Sequence, residues 1–275
     1  MKQKISITVN DKILRDVDSI VDNLFIRNRS QAFEYLIEKA LKESRVAVIL
    51  AGEGKQEKGK IKHRYALKIN HLTIIERTIK KLSNSGFNNI YIIAGHDILT
   101  HIFKIIGDGS DYGVKIEFID EEIQEGTASA LKLLKRKIKT TFLFVQSDII
   151  FEDINILELW KQHLQEKTVT TMLVKSSIIP SNKAIYGHVN LEGNKILSYV
   201  EKPTPKKLTS SLFFGGIFIA EPEIFSYIGK SLEHDVFPAL AKRGLLGGQV
   251  ASGEHLHIHT HEDLINIRKI LKGKK

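Results

Sequence analysis

Val46-Ala-Val-Ile-Leu-Ala-Gly-Glu-Gly54 is an apolar run that leads straight into a glycine loop. Similar apolar runs recur along the chain, and they are Asn89-Ile-Tyr-Ile-Ile-Ala-Gly95, Lys115-Ile-Glu-Phe-Ile119 and Thr141-Phe-Leu-Phe-Val-Gln-Ser-Asp148. The amphipathic stretches 72–85 and 126–138 are predicted helices. Buried strands that alternate with helices form sheets covered on both faces. The pattern therefore predicts an α/β domain with a Rossmann-like, mostly parallel sheet.

The ends of these strands are the predicted ligand site. In α/β sheets, ligands bind beyond the carboxyl ends of the strands, and Gly52, Gly54 and Asp148 follow such ends. The segment from Lys55 to Arg64 carries several lysines and could hold phosphates as point charges. A solvated basic loop is the alternative.

The first 44 residues follow a different pattern. Alternation in Lys4-Ile-Ser-Ile-Thr-Val9 predicts a short strand, and Asn10 or Asp11 then caps a helix that runs to about Phe25. Ser30 is the predicted cap of a second helix. One strand and two helices bury little apolar surface, and a lone strand leaves its backbone unpaired. We therefore expect this segment to pair with a second copy.

The N-terminal segment resembles the ribbon-helix-helix family of repressors through its strand, its Asn-Asp turn and the Arg-Asn-Arg-Ser helix start. The resemblance implies that a two-stranded ribbon reads base edges in the major groove while the second helix begins at a phosphate. The implied DNA-binding residues are Lys4, Ser6 and Thr8 on the ribbon and Asn28, Arg29 and Ser30 at the helix start. A dimerisation clip that does not bind DNA is the alternative.

Residues 45–275 contain six further motifs in a fixed order. They are Glu125-Gly-Thr-Ala-Ser-Ala-Leu131, Val145-Gln-Ser-Asp148, Tyr186-Gly-His-Val, Tyr199-Val-Glu-Lys-Pro203, Glu233-His-Asp-Val-Phe-Pro-Ala-Leu240 and His257-Ile-His-Thr-His-Glu-Asp263. Together with the first strand and its glycine loop, the ordered set resembles the NDP-sugar pyrophosphorylases, a family of GT-A-like sugar-phosphate nucleotidyltransferases. These enzymes join a sugar 1-phosphate to a nucleoside triphosphate and release pyrophosphate.

The resemblance implies a role for each matching position. Nucleotide and phosphates would be held by Gly52, Gly54, Lys55, Arg64, Gly126 and Thr127. The sugar would be held by Gly187, Glu201 and Lys202. A divalent metal, Mg²⁺ or Mn²⁺, would be held by Asp148 and His257.

The chain departs from the family pattern at three places. Its first loop lacks the family's Thr-Arg pair, and Glu53 would repel a triphosphate. His257 stands where the family has a second carboxylate, and one Asp with one His suits Mn²⁺ or Zn²⁺ better than Mg²⁺. Phe214 stands where the family has an Asn that contacts the sugar, so we expect an altered sugar pocket.

Four histidines alternate along one short segment, at positions 255, 257, 259 and 261. In a strand their imidazoles would share one face, where two or three could ligate a metal. An exposed strand edge is the alternative.

Composition limits the remaining choices. The 275 residues carry a formal net charge of +9, which favours phosphorylated or polyanionic partners, with a lysine-rich solvated surface as the alternative. The absence of cysteine excludes disulfides. No apolar run approaches the ~20 residues that a membrane span needs, so we expect a cytoplasmic protein without a membrane partner.

The sequence leaves two candidate functions. The favoured one is a DNA-binding transcriptional regulator, a homodimer or higher even oligomer, whose nucleotidyltransferase-like domain binds a nucleotide or sugar phosphate with reduced or no catalysis. The alternative is an active sugar-1-phosphate nucleotidyltransferase that residues 1–44 make dimeric.

Overall fold

The computed structural model describes residues 4–52, 62–176, 186–204, 210–253, 256–258 and 261–272. Two compact units make up the chain, Met1–Ser44 and Arg45–Lys275. Each unit is built around its own secondary structure.

The first unit consists of two helices, α1 (Asp11–Ser19) and α2 (Arg29–Ser44). The side chain of Asn10 accepts a hydrogen bond from the Ile13 backbone N–H at 2.9 Å, which confirms Asn10 as the cap of α1. Val17 and Ala32 are the hydrophobic residues that this unit buries among those described.

In this unit the predicted strand was not confirmed, and the predicted end of the first helix and start of the second were wrong. Residues 4–10 form no strand, because a strand needs a partner and the described part of the unit offers none. Helix α1 stops at Ser19 because the Asp22 carboxylate collects the N–H groups of residues 24 to 26 into a turn. Helix α2 begins at Arg29, and its cap is Asn28, which accepts from the Gln31 N–H at 3.0 Å.

The second unit is an α/β domain. Its strands are β1 (Val46–Leu50), β2 (Lys68–Ile69), β3 (Leu72–Thr73), β4 (Asn89–Ala94), β5 (Lys115–Asp120), β6 (Phe142–Gln146), β7 (Ile149–Ile150), β8 (Thr170–Ser176), β9 (Gly187–Glu192), β10 (Lys195–Glu201), β11 (Leu212–Ala220), β12 (Leu246–Val250) and β13 (Leu256–His257). Its helices are α3 (Ile74–Asn84), α4 (His96–Ile106), α5 (Thr127–Lys132), α6 (Ile156–Gln165), α7 (Phe237–Lys242) and α8 (His261–Lys272).

A single large sheet organises the described part of this unit. Its strand order is β5-β4-β1-β6-β11-β8-β12-β10-β9, and β7 pairs separately with β13. The first four strands are parallel, as the apolar runs predicted. The expectation of a mostly parallel sheet fails beyond β6, because β11 runs antiparallel to both β6 and β8 and β10 runs antiparallel to its neighbours.

The predicted helices differ from the observed ones at their ends. Thr73 and Glu76 form a reciprocal capping box at the start of α3, which fixes that end sharply. Helix α5 ends at Lys132, and turns replace the rest of the predicted stretch to residue 138.

Apolar side chains cover both faces of the large sheet. One face packs against α3, α4 and α6 through residues such as Ile79 and Leu159, and the other packs against α5 and α7 through Leu131 and Leu240. This two-sided core fixes the strands, so their carboxyl ends and the loops that follow are held in place.

In the described ranges we find no helix with the length and apolar character needed to cross a membrane.

Candidate active site

The adjacent parallel strands β1 and β6 bring two predicted site residues to the same edge of the sheet. Leu50 lies opposite Gln146, and the Ser147 N–H donates to the Leu50 carbonyl at 3.1 Å. Gly52 and Asp148 therefore emerge side by side, two residues past these strand ends. Gly54 and Lys55, which were also predicted to bind phosphates, lie outside the described residues.

Arg64 contacts the Asp148 carboxylate directly. A guanidinium nitrogen (Nη1) lies 2.7 Å from Asp148 Oδ2, and the two side chains are only 17% and 15% exposed. The same nitrogen donates to the Ile258 carbonyl at 3.3 Å. A short 3₁₀ turn, Arg64–Ala66, follows His63, whose φ of 49° turns the chain in the left-handed region. The Arg64–Asp148 ion pair therefore lies just past the carboxyl end of β6.

His257 lies next to this ion pair. It belongs to β13 and lies opposite Ile149 of β7, the residue that follows Asp148. The predicted metal residues Asp148 and His257 are thus neighbours in the fold. The long histidine strand was not confirmed, because β13 covers only Leu256 and His257, position 261 begins α8, and positions 255 and 259 lie outside the described residues.

The donor set does not fit a Mg²⁺ site as it stands. Mg²⁺ prefers oxygen ligands, whereas the predicted pair offers one carboxylate already held by Arg64 and one imidazole. In the described ranges, no group of three or more His, Asp or Glu side chains is arranged to hold a metal. Divalent metal binding at this pair stays a prediction.

Tyr186 connects the two halves of the site. Its ring contacts the His257 ring edge-on at 5.4 Å and stacks on Phe213 at 4.6 Å. Burial, and then the negative charges of Asp263 and Asp148, raise the pKa of Tyr186 to about 12. The phenol is therefore neutral at physiological pH, and its hydroxyl keeps the proton that it can donate in a hydrogen bond.

The three predicted sugar residues lie together at the end of β10. Gly187 and Glu201 lie opposite each other in the β9–β10 pair. Lys202 follows with a φ of 44°, donates its backbone N–H to the Tyr186 carbonyl at 3.2 Å, and keeps its ammonium 3.8 Å from Glu201 Oε1. The left-handed turn at Lys202 holds a cation beside the carboxylate.

The Glu201 carboxylate is buried among charged and polar groups. Burial raises its pKa, and the nearby Glu233 raises it further. A hydrogen bond from Tyr199, together with the charges of Lys202 and His234, acts in the opposite direction and lowers the pKa. A carboxylate whose pKa is shifted by burial, next to specific charged partners, is typical of a functional site.

The two phenylalanines near the sugar residues play different roles. Phe214 is buried and packs against Phe218 and Phe237 in the core, and the altered sugar pocket expected from this position stays a prediction. Phe213 is on the opposite face of β11 and stacks on Tyr186 instead. Phe213 is therefore the phenylalanine of this pair that contacts Tyr186 beside Gly187.

The backbone N–H groups at the start of α5 already have hydrogen-bond partners within the protein. The backbone N–H groups of Ala128 and Ser129 donate to the Lys230 carbonyl at 2.9 and 3.2 Å. The Thr127 hydroxyl accepts from the Leu232 N–H at 2.8 Å and donates to Glu233 Oε2 at 2.6 Å. Nucleotide binding by Gly126 and Thr127 therefore stays a prediction, since their visible role is to join α5 to the 230–233 segment.

The predicted DNA-binding residues do not form a ribbon. Lys4, Ser6 and Thr8 are exposed in the extended segment 4–10. Arg29 makes a two-pronged ion pair with Asp18, at 2.6 and 2.8 Å, and Asn28 caps α2. Ser30 is exposed in the first turn of α2.

Sequence reasoning missed the role of Tyr199. In strand β10, Tyr199 and Glu201 are two residues apart and therefore share a face. The Tyr199 hydroxyl donates to Glu201 Oε2 at 2.7 Å. The two-residue spacing in Tyr-Val-Glu-Lys-Pro could have shown this pair, but a tyrosine in an apolar strand is usually a packing residue.

A sheet with a parallel half, helices on both faces, and charged side chains beyond its strand ends has the architecture in which α/β domains bind ligands. Residues 60–249 match the family described as Nucleotidyl transferase, so the chain belongs to the nucleotidyl transferase family. The family assignment confirms the resemblance predicted for the second unit.

Several curated proteins are similar to this chain. A UTP–glucose-1-phosphate uridylyltransferase from Synechocystis is 27% identical over 190 residues, which span 62% of this chain and 48% of that protein. The bifunctional protein GlmU of Methanococcus maripaludis is 35% identical, over 56% of this chain and 34% of its own length. A mannose-1-phosphate guanyltransferase from Aspergillus oryzae is 26% identical, over 70% of this chain and 54% of its own length. The chain thus spans about a third to a half of these relatives.

Solved structures share the fold. A structure described as a putative glucose-1-phosphate thymidylyltransferase from Bacillus anthracis in complex with a sucrose superposes with a TM-score of 0.70, at 23% identity, covering 82% of this chain and 94% of that one. HddC from Yersinia pseudotuberculosis, complexed with GMP-PN, superposes with a TM-score of 0.67 at 20% identity. The superposition covers 82% of this chain and 99% of that one. At this identity the likeness establishes the fold alone.

Proposed function

We propose that residues 45–275 transfer a nucleotidyl group from a nucleoside triphosphate to a sugar 1-phosphate and release pyrophosphate. The observation that carries the proposal is the continuity of the site. Tyr186 contacts His257 beside the Arg64–Asp148 pair, and the next residue, Gly187, pairs with Glu201. A phosphate-binding charge and a sugar-binding carboxylate are thereby neighbours, as the coupling of these two substrates requires.

The reaction needs positioning and charge more than covalent participation of the protein. A phosphate oxygen of the sugar 1-phosphate attacks the α-phosphorus in line, the bond from that phosphorus to the β-phosphate oxygen breaks, and pyrophosphate leaves with the electron pair. Arg64 would stabilise negative charge on the phosphates, and Lys202 would neutralise the sugar phosphate. Glu201 would accept a hydrogen bond from a sugar hydroxyl, and Asp148 would orient Arg64.

The named relatives support this enzyme proposal over the DNA-binding regulator that the sequence favoured. Two of the three curated relatives that share the domain are named as sugar 1-phosphate nucleotidyltransferases, and the third is the bifunctional protein GlmU. The described contacts also add nothing in favour of DNA binding, since segment 4–10 is not in a strand and Arg29 is paired with Asp18.

A binding experiment separates the two halves of the proposed site. Isothermal titration would measure UTP, GTP and dTTP, and glucose 1-phosphate and mannose 1-phosphate, against the full chain. We expect Glu201→Ala to lose sugar phosphate binding while a triphosphate still binds, and Arg64→Ala to do the reverse. Failure of the unaltered protein to bind any triphosphate or sugar phosphate would contradict the proposal.

For residues 1–44 we propose self-association. This unit exposes Ile5, Ile7 and Phe25, of which Phe25 is 88% exposed, and it buries only Val17 and Ala32 among its described hydrophobic residues. A segment this short gains little from its own core, so a second copy is the partner that fits the exposed isoleucines. A ribbon-helix-helix dimer on DNA remains one outcome of the test given in the Discussion.

A further inference from the structure

Tyr199 and Glu201 form a buried pair at the end of β10. Tyr199 is only 4% exposed, and its ring packs edge-on against Phe214 and Phe237. From this fixed ring the hydroxyl donates to Glu201 Oε2 at 2.7 Å. A donor anchored in the core holds the carboxylate in one orientation.

Gly187 makes room for this hydrogen bond. A Cβ atom at position 187 would overlap the Tyr199 hydroxyl and would lie 2.6 Å from Glu201 Oε2, closer than real Cβ atoms come to other atoms. The backbone of Gly187 therefore closes the space around Oε2. The other oxygen, Oε1, faces Lys202, whose ammonium lies 3.8 Å away.

We propose that Tyr199 is a positioning residue, which holds Oε2 of Glu201 so that Oε1 alone is offered to a single hydroxyl of the sugar 1-phosphate. The proposal rests on the proposed function, because it assumes that Glu201 binds the sugar. Tyr199 itself touches no reacting atom, and it acts through the carboxylate.

Loss of the Tyr199 hydroxyl shifts the pKa of Glu201 in a defined direction. Among the described residues, the charged and titratable groups that face Glu201 are Tyr199, Lys202, Glu233 and His234. The hydrogen bond from Tyr199 lowers the pKa of Glu201 against the opposing effect of burial. In Tyr199→Phe the pKa of Glu201 therefore rises further, and the freed carboxylate can rotate.

The first test needs no ligand. Carboxyl ¹³C NMR of the full chain would follow the Glu201 signal, assigned by its absence in Glu201→Gln, as a function of pH. We expect the titration to move to higher pH in Tyr199→Phe. Tyr227→Phe is the matched control, because its ring lies beside Arg243 and no described contact links it to Glu201. An unchanged titration in Tyr199→Phe overturns the proposal.

The second test measures glucose 1-phosphate and mannose 1-phosphate binding between pH 5 and 9. We expect Tyr199→Phe to bind about 3- to 10-fold more weakly at pH 7, the scale of one lost hydrogen bond, with the acid side of the profile moved to higher pH. A uniform loss at every pH would indicate a merely structural role and would overturn the proposal.

The outcomes distinguish a failure of the positioning role of Tyr199 from a failure of the proposed function. If the unaltered protein binds these sugar phosphates and Tyr199→Phe behaves like Tyr227→Phe, positioning fails while the proposed function stands. If the unaltered protein binds neither, the proposed function fails and the positioning role for sugar fails with it. Should Tyr199→Phe not fold, Gly187→Ala replaces it, since its Cβ would push the Tyr199 hydroxyl away and move the same titration upwards.

Discussion

At the scale of single residues, the Arg64–Asp148 pair combines burial with a fixed charge. The two side chains are mostly shielded from water, and Arg64 also bonds the Ile258 carbonyl. Breaking such a pair leaves the remaining charge poorly solvated, which costs more than an exposed ion pair contributes.

We expect Arg64→Ala and Asp148→Asn each to lower the free energy of unfolding by about 2 kcal/mol, the scale of a hydrogen bond to a charged group. The double variant should lose less than the sum, because each single change already removes the pair. Urea unfolding of the three variants measures this coupling. Strictly additive losses would show that the pair does not form in solution.

Glu201 should reduce stability at neutral pH. Its pKa in the folded chain is raised by burial, so the protonated carboxyl is the form that folding favours. Its favourable contribution is complete below the ordinary range of Glu and is lost as the pH rises through the folded pKa. Glu201→Gln should therefore be more stable than the unaltered chain at pH 8, on the order of 1 kcal/mol, with the difference vanishing near pH 4.

Thermal unfolding at the two pH values tests this. A Glu201→Gln variant less stable than the unaltered chain at pH 8 would mean that the carboxylate's contacts outweigh its desolvation.

At the scale of elements, helix α5 depends on one glycine. Gly126 has a φ of 135°, and a Cβ there would lie 2.6 Å from the Lys230 carbonyl oxygen that accepts from α5. That oxygen binds the first N–H groups of the helix. Position 126 therefore needs glycine for two separate reasons, backbone conformation and close approach.

Gly126→Ala should lower the free energy of unfolding by about 3 kcal/mol, because the strain and the clash add. Gly193→Ala is the control, since Gly193 also has a positive φ, 58°, but a methyl group there would meet no atom within 4 Å. It should lose only about 1 kcal/mol. Equal losses in urea unfolding would show that the Lys230 contact contributes nothing.

The sequence predicted elements better than their pairing. Apolar runs with β-branched residues identified β1, β4, β5 and β6, and β1, β4 and β6 are indeed mostly buried, whereas β5 lies at the sheet edge and is half-buried. It could not predict the antiparallel insertion of β11 beside β6, because strand direction depends on connections that no local pattern records. In the candidate site it predicted Glu201 and Asp148, but Tyr199 was missed and Arg64 was assigned to phosphates without its contact with Asp148.

At the scale of the whole molecule, the two units have different needs. The unit Arg45–Lys275 has a two-sided core, whereas the side chains described in Met1–Ser44 include only two buried hydrophobic residues, Val17 and Ala32. Self-association through the first unit is the arrangement that would cover the remainder.

Sedimentation of the full chain should give a dimer or a larger even oligomer, and Ile5→Lys with Ile7→Lys should give a monomer, because charges would then lie on the paired face. The matched variant changes Lys4, Ser6 and Thr8 to Ala and should remain associated. DNA binding by the unaltered chain that this matched variant loses while it stays associated would identify the first unit as a ribbon-helix-helix reader. A monomeric unaltered chain would contradict self-association.

The most direct measurement is pyrophosphate release by the pure full chain, with UTP, GTP or dTTP and glucose 1-phosphate or mannose 1-phosphate, in Mg²⁺, in Mn²⁺ and in EDTA. Nucleotidyl transfer predicts release that needs both substrates and falls at least 100-fold in Arg64→Ala, on the order seen when a charge-stabilising group is removed. Release should also fall in Asp148→Ala, which removes the partner that orients Arg64, and in Glu201→Ala, which removes the carboxylate that binds the sugar. Release by the unaltered chain that never exceeds the Asp148→Ala level, with any pair, would contradict the enzyme and leave a ligand-binding domain.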